Sequence, residues 1–376
     1  MKHMSTFCLN MIVKNETKTL PTLFKSLHKV IDYYVILDTG STDGTPELIK
    51  KEMNNYGIKG DVHLGEWVNF GHCRNEALKL AVGKADYILI IDADEELNYK
   101  NPYFFKTLMY DCYNLSRKYG STEYYLPAII NIKNNNELGW EWKGVVHNYL
   151  ECKKKNITGQ DVPIEEVFIL SHIHGGAKSH GVTSEEKYLR DAKLLEEELK
   201  KNPNDTRSQF YLAQSYRDAK LVDKAIEHYQ KRAEMGGWIE EVYYSKLRVG
   251  RLMLQKGESF DKFGPVLLDA YQTLPSRVEA IHTLVNYCRL MKWYHLGHLL
   301  GKIPVNIRNT KCKLFIEKPS YDYGLLDDYS ICAYWAGDYD DAVRCCKLIL
   351  MEKKIPNNHI DRIKKNLEFG LEKVRS

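Results

Sequence analysis

Short apolar runs alternate with segments of helical periodicity over the first 180 residues of this chain. The runs of strand length cover residues 7–13, 33–37, 61–64 and 87–91. Between them, residues 20–31 and 70–81 carry apolar side chains at every third or fourth position, and Thr45-Pro46 marks the start of a further helix. Continuous apolar runs are typical of strands that are covered on both faces. The pattern therefore predicts an α/β domain with a largely parallel sheet.

Polar residues stand where these predicted strands end. Asn15 and Glu16 follow the first strand, Asp38 closes the second, and Asp92 and Asp94 follow the strand at 87–91. Ligands of such sheets bind at the carboxyl ends of the strands, so this edge is the predicted site. In extended backbone Asp92 and Asp94 point the same way, and two carboxylates suit Mg²⁺ or Mn²⁺ bound together with a phosphate. The alternative is an acidic loop that caps the next helix.

The segment from 97 to 180 is less regular. The pattern predicts a helix over 103–119 and a strand over 123–131. Trp140 and Trp142 follow among polar residues, where they suit either a wall for a sugar ring or the core. A further apolar strand at 167–170 ends in histidines, including His174.

Beyond residue 180 nearly all of the sequence has helical periodicity, which calls for a search for repeats. The residues at helix-interlocking positions of a first unit are Leu212, Ala213, Tyr216, Ala225 and Tyr229. Later units are looser, although Gly250 and Leu284 stand one 34-residue period apart. We predict three to four degenerate tetratricopeptide-like repeats interrupted by an insertion at 302–324, and hence two domains, 1–180 and 181–376. Such a repeat domain offers a surface for a protein acceptor, a partner or a second subunit, or it serves only to support the first domain.

Composition narrows the class of protein. A net charge of +4 over 376 residues, with both signs interspersed, argues against a nucleic-acid partner. No apolar run approaches the roughly 20 residues of a membrane span. The start of the chain has no secretory pattern, so the expected location is cytoplasmic. The nine cysteines form no Cys-x-x-Cys pair, which favours reduced thiols over disulfides or a zinc site.

Four motifs in the first domain occur in a specific order and spacing. They read MIVKNE at 11–16, DTGSTDGT at 38–45, RNEAL at 74–78 and DADE at 92–95. Together they resemble a family 2 glycosyltransferase of the GT-A fold, a Rossmann-like nucleotide-sugar-binding domain, in particular those members that carry appended tetratricopeptide repeats. The resemblance covers about 90 residues of the chain.

This resemblance implies roles for individual residues. It assigns the base and ribose of a nucleotide to Val13, Glu16, Asp38 and Asp43. It places Arg74 near the phosphates of the donor, where a fixed cation suits an anionic group. Asp92 and Asp94 become the motif for Mn²⁺ or Mg²⁺, with Asp94 the direct ligand and Asp92 nearer the ribose or a metal-bound water. His174 matches a His-x-Gly motif and becomes a third metal ligand, a phosphate donor or a structural histidine.

The chain differs from similar proteins at the position where the catalytic base is expected. Similar proteins carry an aromatic-Gly-x-x-His-Glu pattern, but here Gly144 and His147 are followed by Asn148, which cannot act as a base. A displacement at the anomeric carbon needs a group that takes the proton of the acceptor. We therefore expect Glu141 or His147 to serve as the catalytic residue.

The predicted function is the metal-dependent transfer of a hexose from a nucleotide-sugar to a glycan, lipid or protein acceptor. The resemblance implies a UDP-sugar donor and inversion at the anomeric carbon. Two other functions stay open: a repeat-based scaffold with a nucleotide-binding but inactive domain, favoured by Asn148, and a nucleotidyltransferase, which also uses carboxylates at strand ends and a metal.

Overall fold

The structure is a computed structural model that describes residues 4–119, 122–133, 135–172 and 183–375. Contacts between Cα atoms divide the chain into two compact units, Met1–Glu198 and Leu199–Ser376. We describe each unit by itself.

The first unit begins with the predicted alternation of strands and helices. Its elements are β1 (Phe7–Val13), α1 (Leu20–Leu27), β2 (Tyr33–Asp38), α2 (Thr45–Asn55), β3 (Lys59–Leu64), α3 (Phe70–Ala81) and β4 (Tyr87–Ile90). β2 and β4 both pair with β1 in parallel, and β3 pairs with β2 in parallel. The carboxyl ends of β1, β2 and β4 therefore meet at one edge, and Val13 lies directly opposite Asp38 in the register.

The second half of this unit makes the sheet mixed rather than largely parallel. Its elements are β5 (Glu95–Tyr99), β6 (Cys112–Tyr119), β7 (Thr122–Asn131), α4 (Asn135–Leu138), β8 (Trp140–Lys143), β9 (Tyr149–Cys152), β10 (Gly159–Asp161) and β11 (Val167–Ser171). The strand order is β3-β2-β1-β4-β7-β6-β11-β5, with β10 beside β6, and β8 and β9 form a separate antiparallel pair. β7 runs antiparallel to both β4 and β6, so the Rossmann-like half continues into an antiparallel extension.

The helix predicted over 103–119 is wrong. Asn101 caps a short 3₁₀ turn at Pro102–Lys106, and Cys112–Tyr119 is strand β6. Tyr113 and Leu115 lie in one core cluster while Cys112 lies in the other, which is the two-residue period of a strand. Pairing with β7 and β11 makes this segment a strand. A short apolar pattern is compatible with either a helix or a strand until the partner strand is known.

The sheet is covered on both faces, as the continuous apolar runs predicted. Phe7 and Leu9 of β1 pack into the cluster that contains Leu23 and Phe24 of α1. Cys8 packs into the opposite cluster with Trp140 and Trp142 of β8. Each fully buried aliphatic or aromatic side chain contributes about 1.5–3 kcal/mol, so these two layers fix the register of β1 and β4.

The second unit consists of helices that pack in consecutive pairs. The helices are α5 (Ser184–Lys201), which leads into the unit, then α6 (Thr206–Asp218), α7 (Val222–Glu234), α8 (Ile239–Gln255), α9 (Phe260–Thr273), α10 (Glu279–Leu290), α11 (Tyr294–Gly301), α12 (Leu325–Trp335), α13 (Tyr339–Glu352) and α14 (Asn357–Arg375). The pairs α6–α7, α8–α9, α10–α11 and α12–α13 pack internally, and α14 packs on α13. The prediction of tetratricopeptide-like helical repeats is confirmed.

Most of the predicted packing positions of the first repeat are buried, including Ala213, Tyr216, Ala225 and Tyr229. Leu268, assigned to the second repeat, is 40% exposed and does not act as an interlocking residue. The segment 302–324 holds only a 3₁₀ turn at Pro304–Asn306 and a π turn at Ser320–Gly324. Among the helices that the structure describes, none has both the length and the apolar character needed to cross a membrane.

Candidate functional site

Asp38 is the last residue of β2, and among the described residues only one of its two carboxylate oxygens has hydrogen-bond partners. Its Oδ1 accepts hydrogen bonds from the N–H groups of Gly40 at 2.9 Å and Ser41 at 2.8 Å, which fix the loop after the strand. The residue is 1% exposed, and Oδ2 has no hydrogen-bond partner among the described residues. A buried acceptor without a partner costs free energy, which makes Oδ2 of Asp38 a candidate acceptor for a donor group of a ligand.

The loops after β1 and β2 are fastened to each other. Asp43 accepts hydrogen bonds from the hydroxyl groups of Thr17 at 2.8 Å and Thr45 at 2.6 Å. The N–H of Glu16 donates to the Thr45 hydroxyl at 2.9 Å. Burial opposes ionisation of Asp43, but the hydrogen bonds from Thr45 and Thr17 lower its pKa. Both oxygens of Asp43 therefore have a structural role, and the loops are formed before any ligand arrives.

The main chains of Val13 and Glu16 form hydrogen bonds at the same edge of the sheet. The carbonyl of Val13 accepts both the N–H and the hydroxyl of Thr39, at 2.9 and 3.0 Å. The side chain of Glu16 accepts a hydrogen bond from the Thr19 hydroxyl at 2.7 Å, which helps to start α1. Val13 thus lies opposite Asp38 in the sheet, and Glu16 is linked to Asp43 through Thr45.

Arg74 reaches the same edge from α3. Asn69 caps this helix by accepting the N–H of His72, and Arg74 lies in the second turn. The Nη2 of Arg74 donates to Oδ1 of Asp92 at 2.7 Å, and the guanidinium carbon lies 4.7 Å from the centroid of the Trp142 ring. Arg74, Asp92 and Trp142 line a small cavity together with the ends of β1 and β4.

The turn that carries the two aspartates is built around Glu95. Glu95 is buried and forms an ion pair with Arg117 of β6, which donates to both of its carboxylate oxygens. The N–H of Asp92 donates to Oε2 of Glu95 at 2.9 Å, and the Ser171 hydroxyl donates to Oε1 at 2.7 Å. Arg117 also donates to the carbonyl of Ile90 at 3.1 Å. The end of β4 is therefore held by one buried ion pair.

The pKa values of the two aspartates are shifted in opposite directions because their neighbours differ. Desolvation opposes ionisation of Asp92, but the positive charges of Arg74 and Arg117 outweigh it and lower its pKa. Burial and the adjacent Asp92 carboxylate raise the pKa of Asp94 to about 6. A cation beside Asp94 would relieve both effects, and carboxylate oxygens are the ligands that Mg²⁺ and Mn²⁺ prefer. The residues present therefore fit a divalent cation, held chiefly by Asp94.

Trp140 and Trp142 belong to the core rather than to an exposed sugar wall. Both rings are buried in the cluster between α3 and the sheet, and the indole N–H of Trp140 donates to the carbonyl of Asn131 at 3.0 Å. Asn75 bridges α3 to β8, because its side chain accepts the N–H of Trp142 at 2.8 Å and donates to its carbonyl at 2.9 Å. The face of Trp142 supports Arg74, which is its connection to the site.

Both candidate bases belong to the β8–β9 pair: Glu141 lies on β8, and His147 lies in the segment that joins β8 to β9. Glu141 alternates with Trp140 and Trp142 along β8, so its side chain projects from the opposite face and pairs with Lys143 at 2.9 Å. This hydrogen bond lowers the pKa of Glu141. His147 is exposed at a left-handed position with φ 49°, and Asn148 donates to the carbonyl of Gly144. His174 lies outside the described residues.

Sequence reasoning missed Glu95, Arg117 and Asn75. Glu95 is the fourth residue of the DADE motif, and Arg117 is a charged residue on the inward face of a strand, so both left a signal. In the helix predicted over residues 103–119 Arg117 is an ordinary charged residue, so that prediction gave no reason to select it. Asn75 belongs to the RNEAL motif, but its partner on β8 depends on the tertiary fold.

A second group of possible metal ligands lies in the helical unit. His298, Asp338 and Asp341 bring one ligand atom each within 4.8 Å of one another. Lys302 donates to Asp338 at 3.1 Å and Arg344 donates to Asp341 at 2.7 Å, while Asp338 also caps α13. These protein cations already neutralise the carboxylates, so the cluster acts as a helix cap with its ion pairs.

Known proteins resemble parts of this chain. Residues 8–101 match the model of the Glycosyl transferase family 2. A TPR repeat-containing protein of Synechococcus elongatus is 38% identical over 94 residues, which is 25% of this chain and 22% of that relative. The matched segment thus spans less than a quarter of the relative's own length.

Two solved structures resemble larger parts of the chain at low identity. The crystal structure of S. aureus TarS 1-349 in complex with UDP-GlcNAc has a TM-score of 0.41 and 16% identity, and the match covers 69% of this chain and 90% of that chain. A thermophilic TPR protein of Thermus thermophilus has a TM-score of 0.32 and 17% identity, covering 48% of this chain and 91% of that chain.

Proposed function

We propose that this chain, in which residues 8–101 form a family 2 glycosyltransferase domain, transfers a hexose from a UDP-sugar to a glycan, lipid or protein acceptor. One observation carries the proposal. Among the residues that the structure describes, the buried, unpartnered oxygen of Asp38 follows β2 and the Asp92–Asp94 pair, with Arg74 bound to Asp92, follows β4, at the same edge of the sheet on either side of β1. An acceptor for a nucleoside at one end and charged groups for phosphates at the other are what a nucleotide-sugar requires.

The nucleoside end depends on the loops after β1 and β2. Asp38 offers Oδ2 to an N–H or hydroxyl donor of the base or ribose, and its buried position makes that hydrogen bond strong. Asp43 and Glu16 keep the two loops in register, so their contribution is to hold the cleft open for Val13 and Asp38. We therefore assign nucleoside binding to Val13, Glu16, Asp38 and Asp43, with the direct polar contact at Asp38.

The phosphate end depends on Arg74, Asp92 and Asp94. Arg74 is oriented by Asp92 and by the ring of Trp142, and its remaining N–H groups are suited to phosphate oxygens. Asp94, with Asp92 behind it, would hold Mn²⁺ or Mg²⁺. Such an ion, when bound, neutralises charge on the leaving nucleoside diphosphate. His174 is proposed as a further ligand on the family resemblance alone.

The acceptor hydroxyl would attack the anomeric carbon from the side opposite the leaving group, which gives inversion. The proton of that hydroxyl needs a base, and Glu141 and His147 are the proposed groups. The lowered pKa of Glu141 keeps it ionised at neutral pH but also makes it a weaker base. The repeat domain suggests a macromolecular acceptor or partner, since helical repeats present extended surfaces.

A donor panel tests this function. The full chain is incubated with Mn²⁺ and individual nucleotide-sugars, with cell extract as a source of acceptors, and release of nucleoside diphosphate is measured. We expect release from one UDP-sugar, and a loss of at least about 100-fold in Asp94→Ala. Asp161→Asn, an exposed aspartate on β10, is the matched control that should keep full activity.

The products separate the alternatives. Release of pyrophosphate in place of nucleoside diphosphate would identify a nucleotidyltransferase. Nucleotide binding without any product, with extract present, would favour a scaffold, for which the substitution of Asn148 is the supporting observation.

A further inference from the structure

The insertion between α11 and α12 runs back across the earlier helices of the repeat unit. We call residues 308–319 the strap. The Phe315 ring lies 5.0 Å from the ring of Tyr244 on α8 and 6.4 Å from that of Phe210 on α6. Its neighbours contact Glu240 of α8 and Arg277 at the start of α10. The strap therefore lies on the first helices of three consecutive pairs.

Charged side chains of these helices bind the main chain of the strap. Glu240 accepts the N–H groups of Lys313 and Leu314, at 2.8 and 2.7 Å. Arg277 donates to the carbonyls of Leu314 and Phe315, at 2.8 and 3.3 Å. Contacts to main-chain groups on both sides of one residue recognise the peptide backbone and not a particular sequence.

Two side chains of the strap add specificity. The carboxylate of Glu317 pairs with the guanidinium of Arg251 in a bidentate contact, at 2.5 and 2.9 Å. The ring of Phe315, two residues earlier, packs on the aromatic pair Phe210 and Tyr244. The surface on α6, α8 and α10 thus fits a segment that bends at an aromatic residue placed two positions before an acidic one.

The strap is held weakly compared with the surface beneath it. Every residue of the strap is at least partly exposed, and Phe315 is 45% exposed. Arg277, in contrast, is fully buried and forms an ion pair with Glu279 at 2.7 Å in addition to its contacts with the strap. Arg251 likewise donates to the hydroxyl of Thr283 at 2.9 Å. These two arginines therefore have partners within the helices besides the strap.

We propose that this surface is a peptide-binding site that the strap occupies in cis, and that a partner peptide of the form aromatic-x-acidic displaces the strap. Because the strap is tethered, it competes with a partner peptide at an effective concentration in the millimolar range. A partner peptide must therefore bind the surface tightly enough to displace the strap. The assignment rests on the helical unit alone and does not depend on glycosyl transfer.

Peptide binding to the full chain tests the proposal. The probe is a fluorescent peptide of residues 310–319 with serine in place of Cys312, and the readout is fluorescence anisotropy. The variant Phe315→Gly/Glu317→Gln weakens the strap but leaves the surface intact, and glycine suits the left-handed φ of 44° at position 315. We expect this variant to bind the peptide at least about tenfold more tightly than the unmodified chain.

Glu240→Ala added to that variant removes the acceptor for two main-chain N–H groups and should weaken peptide binding about tenfold. A scrambled peptide is the negative control. Equal binding of the true and scrambled peptides, equal binding by the unmodified chain and the variant, or failure of the variant to fold would each overturn the proposal.

Amide hydrogen exchange in the unmodified chain gives a second test. A displaceable strap predicts that the N–H groups of Lys313 and Leu314 exchange through local opening, at least about 100-fold faster than the core amides of α8 and α10. Exchange of the strap amides only with global unfolding would show an integral structural segment and overturn the proposal.

Discussion

Arg74 and Asp92 are joined by a 2.7 Å hydrogen bond that links helix α3 to the end of strand β4. The ring of Trp142 lies under the same guanidinium, so Arg74 is fixed from two sides. The contact neutralises one of the two aspartates and leaves Asp94 as the carboxylate with the raised pKa. Asp92 therefore has a lowered pKa and Asp94 a raised one, a difference that the sequence of the two aspartates does not show.

Removing Arg74 should weaken donor binding. In Arg74→Met the stacking on Trp142 is largely kept, but Asp92 loses its counter-charge and the phosphates lose a donor. We expect the KM for the nucleotide-sugar to rise about tenfold, which corresponds to about 1.4 kcal/mol. Steady-state kinetics checks this, with Arg190→Met, an exposed arginine on α5, as control. An unchanged KM would exclude Arg74 from the phosphate site.

Substitution of Asp94 should stabilise the metal-free protein at neutral pH. Because the pKa of Asp94 is raised to about 6, the folded state binds its proton more tightly than the unfolded chain does. Stability therefore falls as pH rises from about 4 to about 6, and the full penalty is present above that range. Asp94→Asn removes the charge and should gain on the order of 1 kcal/mol at pH 7.5. Thermal melts in chelator at pH 7.5 and 4 check this, and a gain of equal size at both values would contradict it.

The same shift predicts pH-dependent metal binding. A proton competes with the cation for Asp94, so affinity for Mn²⁺ should fall about tenfold for each pH unit below 6. Calorimetric titration of Mn²⁺ between pH 5 and 7.5 measures this without any turnover. A constant affinity over that range would remove Asp94 from the ligand set.

Asp38→Asn should weaken nucleotide binding while leaving the stability of the fold nearly unchanged. The amide oxygen can still accept the N–H groups of Gly40 and Ser41, but the amide nitrogen replaces the unpartnered Oδ2 and turns an acceptor into a donor. We expect UDP binding to weaken more than about tenfold while the melting temperature changes by less than about 3 °C. Isothermal titration with UDP and a thermal melt provide the two readouts. Unchanged UDP affinity would show that Oδ2 does not face the nucleotide.

Breaking the Arg117–Glu95 pair should be costly for the fold. Arg117→Met leaves the buried carboxylate of Glu95 without its counter-charge, and we expect a loss of about 3–5 kcal/mol. Arg117→Met/Glu95→Gln removes both charges and should recover at least half of that loss. Chemical denaturation of both variants checks this, and a loss that the second substitution does not reduce would refute the charge argument.

Glu141→Gln tests the remaining candidate base on β8. If Glu141 takes the proton of the acceptor, Glu141→Gln should lower kcat at least about 100-fold, because an amide cannot act as a base. His147→Ala serves as the parallel variant for the second proposed base. A reduction in kcat of no more than about twofold in either variant would exclude that residue as the base.

Local sequence determined the elements that need no distant partner. The continuous apolar runs of β1, β2 and β4 predict strands with both faces covered, and the periodicity of Phe70–Ala81 predicts a helix. Because parallel strands bring their carboxyl ends to one edge, the polar residues that follow them define the candidate site at Asp38, Asp92 and Asp94.

Tertiary structure decided what depends on contacts between distant residues. The apolar pattern of residues 112–119 fits a helix or a strand, and only pairing with β7 and β11 makes it β6 and places Arg117 beside Glu95. The burial of Trp142 beneath Arg74 and the strap across α6, α8 and α10 depend likewise on side chains far apart in the chain. A local period shows which face of an element is apolar, but its partner is set by packing of the whole unit.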